Sequence, residues 1–362
     1  MSKTSLLHEI LHQDHLDAIL VSSPTNIRYL TGYEGFSEHE HDAYLLITKN
    51  KNIIFTSTLY SEAIRLTLPE FTLFETNQQN SFYQNLKTIL EKEKCETLGF
   101  EDTDLTVAEF LKIQKYAKEC IPTSLHAIRS TKTNEEITLI EQACSIGDQA
   151  LSLLLPQIKL GLSELQVARI LELRIKELDG DLSFPTIVAF GKNAAVPHHH
   201  TDQTTLNKND IILLDFGVRY KGYCSDMTRT VFFGEAENEQ SKAYDAVLAS
   251  QTKAVEYISS QLSQNKPCKA SLVDKAARDY LISTGFSSIP HSLGHGIGLQ
   301  VHESPSLSPK SEDILEEGMV FSIEPGIYLS EKFGIRIEDL YTINNKQLIQ
   351  LTKSSSELRI LH

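Results

Sequence analysis

Short apolar runs alternate with helix-length amphipathic segments over the first third of the chain. A periodicity near 3.6 residues predicts helices, and compact apolar runs bounded by polar turns predict buried strands. The predicted helices cover 5–15, 81–92 and 106–118, the predicted strands cover 17–22, 44–48, 52–56 and 97–100, and a helix or turn begins at Asn26. This order of elements predicts an α/β domain that ends at about residue 128.

A polar joint over 130–136 leads into a second region, in which one pattern of elements occurs twice. Each occurrence has two predicted helices, the second closed by a glycine, then a loop with histidines, then an apolar strand. The first has helices at 135–156 and 163–178 and a strand at 211–217, and the second has helices at 239–262 and 271–283 and a strand at 319–326. The repetition predicts two similar halves around a shared site. Chance alignment of common α/β elements is the alternative.

Composition and charge argue against several classes of protein. The 362 residues carry a formal net charge of −14, with 41% hydrophobic and 23% charged residues. These values are ordinary for a globular protein and opposite in sign to the basic face of nucleic-acid binders. No apolar stretch approaches the roughly 18 residues that span a bilayer. Five dispersed cysteines without a C-x-x-C pair are typical of reduced thiols. We therefore expect a cytoplasmic protein that binds neither nucleic acid nor membrane.

Two aspartates lie on the apolar segments that flank a predicted turn at Gly222. Asp215 ends the run I-I-L-L-D, and Asp226 begins the run D-M-T-R-T-V-F-F. If the hairpin is centred between Tyr220 and Lys221, the two carboxylates are cross-strand partners with Cβ atoms about 4.5–5.5 Å apart. Buried carboxylates so placed repel each other and need a compensating cation. The alternative is that each faces solvent or pairs with Arg219 or Arg229.

A second pair of acids occupies a second predicted hairpin. Glu324 and Glu338 lie at equal distances from Glu331 in F-S-I-E-P-G-I-Y-L-S-E-K-F-G-I-R-I-E. We therefore expect them to face each other across two apolar strands. Four buried carboxylates need about four positive charges for balance, of which Arg336 supplies one. Two divalent cations would supply all four, so the acids predict a dinuclear metal site.

Histidines accompany the acids in two loops. The segment H-S-L-G-H-G-I-G-L-Q-V-H-E contains His291, His295 and His302 among three glycines, which allow the backbone to approach a site closely. In the segment P-H-H-H the first histidine is His198, and an accidental loop run accounts for His199 and His200, which follow it. A lone histidine is more often a hydrogen-bonded core or surface residue. Three of them just upstream of the acidic hairpin predict part of a site.

These residues resemble the pita-bread metallopeptidases, which include methionine aminopeptidase, aminopeptidase P, prolidase and the metal-free creatinase. The family pattern has an aspartate, a second aspartate eleven residues later, a histidine in H-G-x-G, a glutamate in E-P-G and a glutamate in R-x-E. The five matching residues are Asp215, Asp226, His295, Glu324 and Glu338. The resemblance covers nearly the whole chain and implies an α+β fold. A creatinase-like α/β domain over 1–128 would precede a pita-bread catalytic domain over 129–362 with a pseudo-two-fold internal repeat.

The resemblance also implies how the metals are held. Asp226 and Glu338 would bridge two divalent metals. Asp215 would chelate one of them, and His295 and Glu324 would hold the other. Oxygen ligands with one imidazole favour a hard or borderline ion, so Mn²⁺ is the preferred ion, with Co²⁺ or Zn²⁺ as alternatives. A hydroxide that bridges the metals is the expected nucleophile, and Glu324 is expected to carry its proton.

Four further residues would act around the metals, according to the same resemblance. His198, in N-A-A-V-P-H, would face the substrate, and Arg336 would support the acidic ligands. His302 would stabilise the oxyanion near the scissile carbonyl. A proline nitrogen leaves poorly until it is protonated, and either His291 or His302 could supply that proton.

The proline-specific branch of the family fits this chain best. Creatinase lacks the five ligands, and methionine aminopeptidase normally lacks an amino-terminal domain of this kind. Aminopeptidase P releases the first residue from longer Xaa-Pro peptides, and prolidase cleaves Xaa-Pro dipeptides. Some prolidases carry an arginine after H-E-x-P, where this chain has Ser306. We therefore expect an Xaa-Pro aminopeptidase, with an Xaa-Pro dipeptidase as the alternative.

The expected partners are peptides with proline at the second position. The family commonly assembles through its amino-terminal domain, so the resemblance also implies a homodimer or a higher homo-oligomer. A non-catalytic binding protein on the same fold is the alternative from a different class. The five retained ligands disfavour it, because an inert scaffold has no need of buried acids that destabilise it.

Overall fold

The computed structural model describes residues 3–362, and the chain separates into two compact units with a boundary between Ile128 and Arg129. Clusters of buried apolar side chains form the cores of both units. Within the described residues, no helix is long and apolar enough to cross a membrane. The five cysteines form no disulfide with one another.

Five helices and six strands make up the described part of the first unit. The helices are α1 (Thr4–Gln13), α2 (Pro24–Thr31), α3 (Ser61–Thr67), α4 (Phe82–Glu93) and α5 (Val107–Ile113), and the strands are β1 (Ala18–Val21), β2 (Ala43–Thr48), β3 (Asn52–Ser57), β4 (Thr72–Thr76), β5 (Thr97–Phe100) and β6 (Glu119–Pro122). The strands form one mixed sheet in the order β4-β3-β2-β1-β5-β6. Leu20, Leu46, Phe55 and Leu98 of this sheet form a core with Leu86 of α4.

The elements of the first unit follow the predicted alternation, with local differences. The helix predicted over 106–118 is shorter: α5 ends at Ile113, and β6 begins at Glu119 and pairs in parallel with β5. Pairing at the edge of the sheet therefore overrides the helical pattern of this segment. The sequence pattern does not predict α3 and β4, which are only seven and five residues long.

Four α-helices and sixteen strands make up the described part of the second unit. The helices are α6 (Asn134–Leu154), α7 (Glu164–Glu177), α8 (Asn238–Ser263) and α9 (Ala270–Ser283). The strands are β7 (Asp181–Leu182), β8 (Ile187–Phe190), β9 (Ile211–Phe216), β10 (Val218–Tyr220), β11 (Tyr223–Cys224), β12 (Met227–Phe233), β13 (Cys268–Lys269), β14 (Gly294–Gly296), β15 (Glu303–Leu307), β16 (Ile314–Leu315), β17 (Val320–Ile323), β18 (Gly326–Leu329), β19 (Phe333–Arg336), β20 (Asp339–Asn344), β21 (Gln347–Gln350) and β22 (Ile360–Leu361).

The second unit contains two similar sets of elements. Helices α6 and α7 pack together and precede the sheet β22-β12-β9-β8, whose centre is the antiparallel pair β9 and β12. Helices α8 and α9 pack together and precede the sheet β15-β14-β17-β20-β21, whose centre includes the antiparallel pair β17 and β20. This twofold order of elements is the one that the sequence repeat predicts.

The helices of the first half begin at capping boxes. Thr133 Oγ1 accepts from the backbone N–H of Glu136 at 3.3 Å, and Glu136 Oε2 accepts from the backbone N–H of Thr133 at 2.8 Å. Ser163 and Gln166 form the same reciprocal pair at the start of α7. Each box satisfies two N–H groups of the first turn, which fixes where the helix begins. The first residue of α7 is consequently Glu164.

Strand β9 is buried on both faces, and its alternation sets the direction of Asp215. Ile211 and Leu213 belong to the core that contains α8 and α9. Ile212 and Leu214 belong to the core that contains α6 and α7. Side chains at alternate positions of a strand share a face. Asp215 therefore points toward the second half of this unit, which carries Glu324 and Glu338.

Candidate metal centre

The hairpin of β9 and β12 places Asp215 and Asp226 on one face, but not as direct partners. Asp215 pairs with Thr228, so the predicted pairing of the two aspartates is wrong by two positions. The turn explains the difference: its central residues Lys221 and Gly222 have positive φ values of 46° and 84°, as a two-residue type I′ turn requires. Its centre thus lies one residue later than predicted. Because a shift of two positions preserves the face, the aspartates still lie side by side.

The second hairpin has the predicted register. The ladder pairs Ile323 with Asp339 on one side and Gly326 with Arg336 on the other. Both pairs place Glu324 opposite Glu338, which confirms the symmetric pairing expected from the sequence. The strand predicted over 319–326 is, however, two strands, β17 and β18, in different sheets. Pro325 has no N–H for a ladder, and Glu324 lies at the break that results.

His295 lies on β14, a short strand between β15 and β17. Its neighbours must be glycines: a Cβ on Gly294 would lie 2.0 Å from the carbonyl oxygen of Ser322, and a Cβ on Gly296 would lie 2.1 Å from that of Ser304. The backbone N–H of His295 also donates to Ser322 Oγ at 3.0 Å. The G-H-G sequence over 294–296 therefore allows three strands to approach closely enough to place the imidazole among the acids.

The atoms that face one another in this cluster are nearly all acceptors. His295 Nδ1 donates to the carbonyl oxygen of Gly296 at 3.1 Å, which leaves the lone pair on Nε2. That nitrogen lies 3.4 Å from Glu324 Oε1 and 3.7 Å from Asp226 Oδ2. Asp226 Oδ1 and Glu338 Oε1 are buried and accept no hydrogen bond from the described residues. Ligand atoms of Asp226, His295 and Glu338 all lie within 4.8 Å of one another. A bound cation would satisfy all of these acceptors, so the residues fit a metal centre.

The raised pKa values of the acids in the cluster also indicate a site for a cation. Burial, followed by the charges of Glu338 and Asp215, raises the pKa of Asp226 well above its ordinary value. Burial and Glu338 do the same for the pKa of Glu324. Burial and Asp215 raise the pKa of Glu338 to about 7. Without a cation these acids hold protons near neutral pH, and with one they are the anionic ligands that a divalent metal requires.

Arg336 connects the acids of both hairpins. Its Nη2 donates to Asp215 Oδ2 at 2.5 Å, and its Nε donates to Thr228 Oγ1 at 3.0 Å. The hydroxyl of Thr228 in turn donates to Glu338 Oε2 at 2.7 Å. Arg336 Nη1 donates to the hydroxyl oxygen of Tyr328 at 2.8 Å. A single buried guanidinium thereby fixes one carboxylate directly and a second one through a hydroxyl.

Arg229, one of the two arginines that could have paired with the aspartates of the first hairpin, pairs with neither of them. It forms a buried ion pair with Asp339, in which its Nη2 lies 2.5 Å from Asp339 Oδ1. Its Nη1 donates to the backbone carbonyl of Glu338 at 2.6 Å. Arg229 therefore holds the backbone of the Glu338 strand and leaves the carboxylate of Glu338 facing the cluster.

His291 is held as a neutral imidazole. Its Nδ1 donates to the carbonyl oxygen of Ser292 at 2.7 Å, so its Nε2 accepts from the Tyr328 hydroxyl at 2.9 Å. Burial lowers the pKa of His291 to about 4. Both ring nitrogens are thus engaged, and the imidazole carries no second proton near neutral pH.

His302 and His198 lie beside the cluster with their side chains accessible. The ring of His302 packs edge-on against that of His295 at a centroid distance of 4.4 Å. Partial burial, followed by the charge of His198, lowers the pKa of His302. His198 is exposed on the loop that follows the short 3₁₀ helix Gly191–Ala195. The structure thus brings all the histidines that the sequence selects to one region.

Thr228 and Tyr328 belong to the site but are not selected by the sequence reasoning, because neither is a metal ligand or a charged group. A signal for Tyr328 was nevertheless available. The register of the second hairpin places Tyr328 opposite Gly334 and Gly326 opposite Arg336. Alternate residues share a face, so Tyr328 and Arg336 must be diagonal neighbours. Thr228 follows in the same way from its pairing with Asp215.

We predict that the metal-free protein loses stability as the pH rises. Glu338 has a folded pKa of about 7 against an ordinary value of 4.5. A carboxyl with a raised folded pKa contributes stability that is fully present below the unfolded pKa and is lost as the pH rises through the folded one. The melting temperature of the metal-free protein should therefore fall between about pH 5 and about pH 8.

Saturating Mn²⁺ should remove most of that fall, because metal binding displaces the protons. The rise in melting temperature on adding Mn²⁺ should consequently be larger at the higher pH. Differential scanning fluorimetry with and without the ion measures both series. Equal metal-induced shifts at the two pH values would contradict an acidic, proton-loaded metal centre.

Known families and proteins match the chain over nearly its whole length. Residues 138–345 match metallopeptidase family M24, and residues 4–130 match the creatinase/prolidase N-terminal domain. The chain is 34% identical over 365 residues to uncharacterized peptidase YqhT of Bacillus subtilis, which covers 99% of this chain and 100% of that protein.

Solved structures extend the same likeness to the fold. An Xaa-Pro dipeptidase from Bacillus anthracis superposes with a TM-score of 0.90 at 30% identity, covering 99% of both chains. An X-Pro aminopeptidase from Thermotoga maritima superposes with a TM-score of 0.82 at 29% identity, covering 96% of this chain and 98% of that one. The expected fold, a creatinase-type amino-terminal domain before a pita-bread catalytic domain, is confirmed. The chain therefore belongs to metallopeptidase family M24, with a creatinase/prolidase N-terminal domain before a pita-bread catalytic domain.

Proposed function

We propose that this metallopeptidase is a dinuclear exopeptidase that hydrolyses the Xaa-Pro bond at the amino terminus of peptides. The observation that carries the proposal is the convergence of acceptors. The unprotonated Nε2 of His295 and the unsatisfied oxygens of Asp226 and Glu338 face one another in a buried cluster. Such an arrangement is costly in an inert protein and becomes favourable when cations occupy it.

The two hairpins suggest how a pair of ions would be shared. We infer that Asp226 and Glu338 bridge both ions, that Asp215 holds one, and that His295 and Glu324 hold the other. Four carboxylates with a total charge of −4 would balance two divalent ions. Oxygen donors with one imidazole favour Mn²⁺, although Co²⁺ and Zn²⁺ accept similar donors. Ions held there would lower the pKa of a water molecule and polarise the scissile carbonyl.

The surrounding side chains supply the proton transfers and the charge stabilisation. Glu324, at the break between β17 and β18, accepts from Ser322 Oγ at 3.3 Å and can receive the proton of the attacking water. His302 is accessible and lies against His295, so it can stabilise the oxyanion. His291 is a poor donor to the proline nitrogen, because both of its nitrogens are engaged. We therefore assign protonation of the leaving nitrogen to His302.

The environment of Ser306 supports an aminopeptidase. Ser306 pairs with His295 across the ladder of β14 and β15, so it lies next to the centre. Its backbone N–H donates to Asp313 Oδ2 at 2.8 Å, and its side chain is bonded to Ser308. A dipeptide substrate carries a free carboxylate just beyond the proline. The charged group that contacts Ser306 is the carboxylate of Asp313, which cannot neutralise that charge as an arginine would, whereas the neutral amide of a longer peptide needs no cation.

A dipeptidase is the second candidate. Its support is the likeness to the Xaa-Pro dipeptidase from Bacillus anthracis, which spans 99% of both chains. The two candidates share the same centre and the same reaction. They differ in the length of peptide that the region around Ser306 accepts.

Compartment and assembly belong to the same proposal. Five cysteines that form no disulfide with one another suit a reducing, cytoplasmic environment. A homodimer or higher homo-oligomer stays a prediction from the family resemblance, and light scattering on the purified protein measures it directly.

Peptide length is the first test of the proposed activity. With Mn²⁺ bound, the protein should release the first residue from Xaa-Pro-Xaa peptides and cleave Xaa-Pro dipeptides at least about tenfold less efficiently, a difference of about 1.4 kcal/mol in transition-state stabilisation. Xaa-Ala-Xaa peptides provide the control for proline specificity. A preference for the dipeptide would assign the protein as a dipeptidase, and activity on neither would reject Xaa-Pro hydrolysis.

Asp226→Asn tests the bridging role. The amide has the same shape but no charge, so the variant should lose hydrolysis and hold less metal than the wild type. Elemental analysis by mass spectrometry and the peptide assay measure these two effects. Asp245→Asn, on the exposed side of α8, is the matched control and should change neither. Full metal content with normal turnover in Asp226→Asn would refute the assignment.

His302→Ala should separate a catalytic role from a ligand role. Loss of an oxyanion donor lowers turnover by about 10²-fold or more, while metal content should equal that of the wild type. Steady-state kinetics and metal analysis of the same preparation decide the matter. Loss of metal in this variant would mean that His302 is a ligand.

A further inference from the structure

Glu164, the first residue of α7, is fully buried and accepts four hydrogen bonds from one loop. Its Oε1 accepts from the backbone N–H of Phe190 at 2.8 Å and from Asn193 Nδ2 at 2.9 Å. Its Oε2 accepts from His199 Nε2 at 2.7 Å and from the backbone N–H of Asp202 at 3.0 Å. All four donors lie within 190–202, the segment that carries His198. One carboxylate therefore holds this loop at four points along its length.

We propose that Glu164 is a positioning residue for His198, and that it acts through the loop and not on the substrate. The assignment rests on the proposed function only in that His198 faces the peptide. The hydrogen bond from His199 to Glu164 would then fix the backbone next to His198. The interpretation of His199 as part of an accidental histidine run is accordingly replaced.

The two chain neighbours of His198 are both held, and the side chain between them is free to reach the substrate. On one side, the carbonyl of Pro197 accepts from Arg336 Nη1 at 3.4 Å, which ties the loop to the metal centre. On the other side, His199 is bonded to Glu164. His198 itself is exposed. The loop therefore presents one imidazole between two fixed points, and Glu164 supplies one of them.

A cation site is the competing interpretation of the same cluster, because ligand atoms of Glu164, His199 and Asp202 lie within 4.8 Å of one another. The hydrogen bonds argue against it. Two donors already face each oxygen of Glu164, and two of the four are backbone N–H groups that cannot lose a proton. His199 Nε2 must also carry hydrogen to donate to the carboxylate, so it offers no lone pair there. The Asp202 carboxylate is exposed and already accepts from the backbone N–H of Thr204 at 2.6 Å, so the oxygens of Glu164 face donors where a cation would need open acceptors.

Glu164→Gln tests the positioning role with an isosteric change. In place of Oε1 the amide nitrogen would face two donors, and in place of Oε2 it would face the backbone N–H of Asp202 and force His199 to change tautomer, so the variant loses one or two of the four bonds. Hydrogen exchange of the metal-free protein should become at least about tenfold faster across 190–204 than in the wild type. Glu172→Gln, two turns farther along α7, is the matched control and should leave exchange in this segment unchanged. This readout does not depend on catalysis.

A double-mutant cycle with His198→Ala tests whether Glu164 acts through that histidine. In the wild-type background, Glu164→Gln should lower kcat/KM for an Xaa-Pro-Xaa peptide about tenfold, without changing the content of bound metal. In the His198→Ala background it should lower kcat/KM less than about twofold, because residues that act as a unit are not additive. His199→Gln keeps an N–H donor and should retain most of the activity, whereas His199→Leu should reproduce the loss. The His199 pair also provides the test if Glu164→Gln does not fold.

Unchanged exchange in 190–204, or an equal loss of kcat/KM in both backgrounds, would overturn the positioning role. A metal ion lost from Glu164→Gln while the dinuclear centre stays loaded would overturn it in favour of the cation site. A wild-type protein inactive on Xaa-Pro peptides would contradict the proposed function instead. In that case the exchange experiment still decides whether Glu164 orders the loop.

Discussion

Repulsion among four buried carboxylates is the constraint on which the second unit depends. Two hairpins from the two halves of this unit bring Asp215, Asp226, Glu324 and Glu338 together, and burial raises the pKa of three of these acids. Only strong compensation keeps such a cluster folded. The chain supplies one guanidinium, that of Arg336, and an imidazole whose lone pair is turned inward. Without a cation the remaining compensation comes from protons on these acids, and bound metal ions would replace those protons.

The apolar packing of the second unit holds the four acids close to one another. Strand β9 lies between two cores, and its alternation sends Asp215 toward the second half. Behind the acids, Arg229 and Asp339 form a buried ion pair that ties the backbone of β20 and its neighbour Glu338 to β12. Around the acids, Thr228 and Tyr328 distribute the hydrogen bonds of Arg336. The loop of His198 is tied to the same framework at Arg336 and at Glu164. Each fixed contact restricts the acids or the histidines to one arrangement.

The residues of the centre could be predicted from the sequence, but the cross-strand pairing could be predicted for only one of the two hairpins. The second hairpin is symmetric about Glu331, and its register followed from the sequence because both arms are apolar and of equal length. The pairing predicted for the first hairpin was wrong by two positions. The type I′ turn at Lys221 and Gly222 depends on positive φ values that the sequence only suggests. The predicted position of the two aspartates on one face of the hairpin was still right, because a shift of two residues leaves each side chain on the same face. His199 was missed because its partner, Glu164, is 35 residues away in the chain. Such a contact is created by the tertiary fold and leaves no local pattern.

The number of metal ions that one chain binds decides whether the five ligands build a dinuclear centre. Metal-free protein can be titrated with Mn²⁺ by isothermal calorimetry, and the loaded sample can be examined by electron paramagnetic resonance. A dinuclear centre predicts two ions per chain and a spectrum of two magnetically coupled Mn²⁺ ions, because carboxylates shared between the ions would couple their spins. A stoichiometry of one or less, or the spectrum of isolated ions, would contradict a dinuclear centre built by the five ligands.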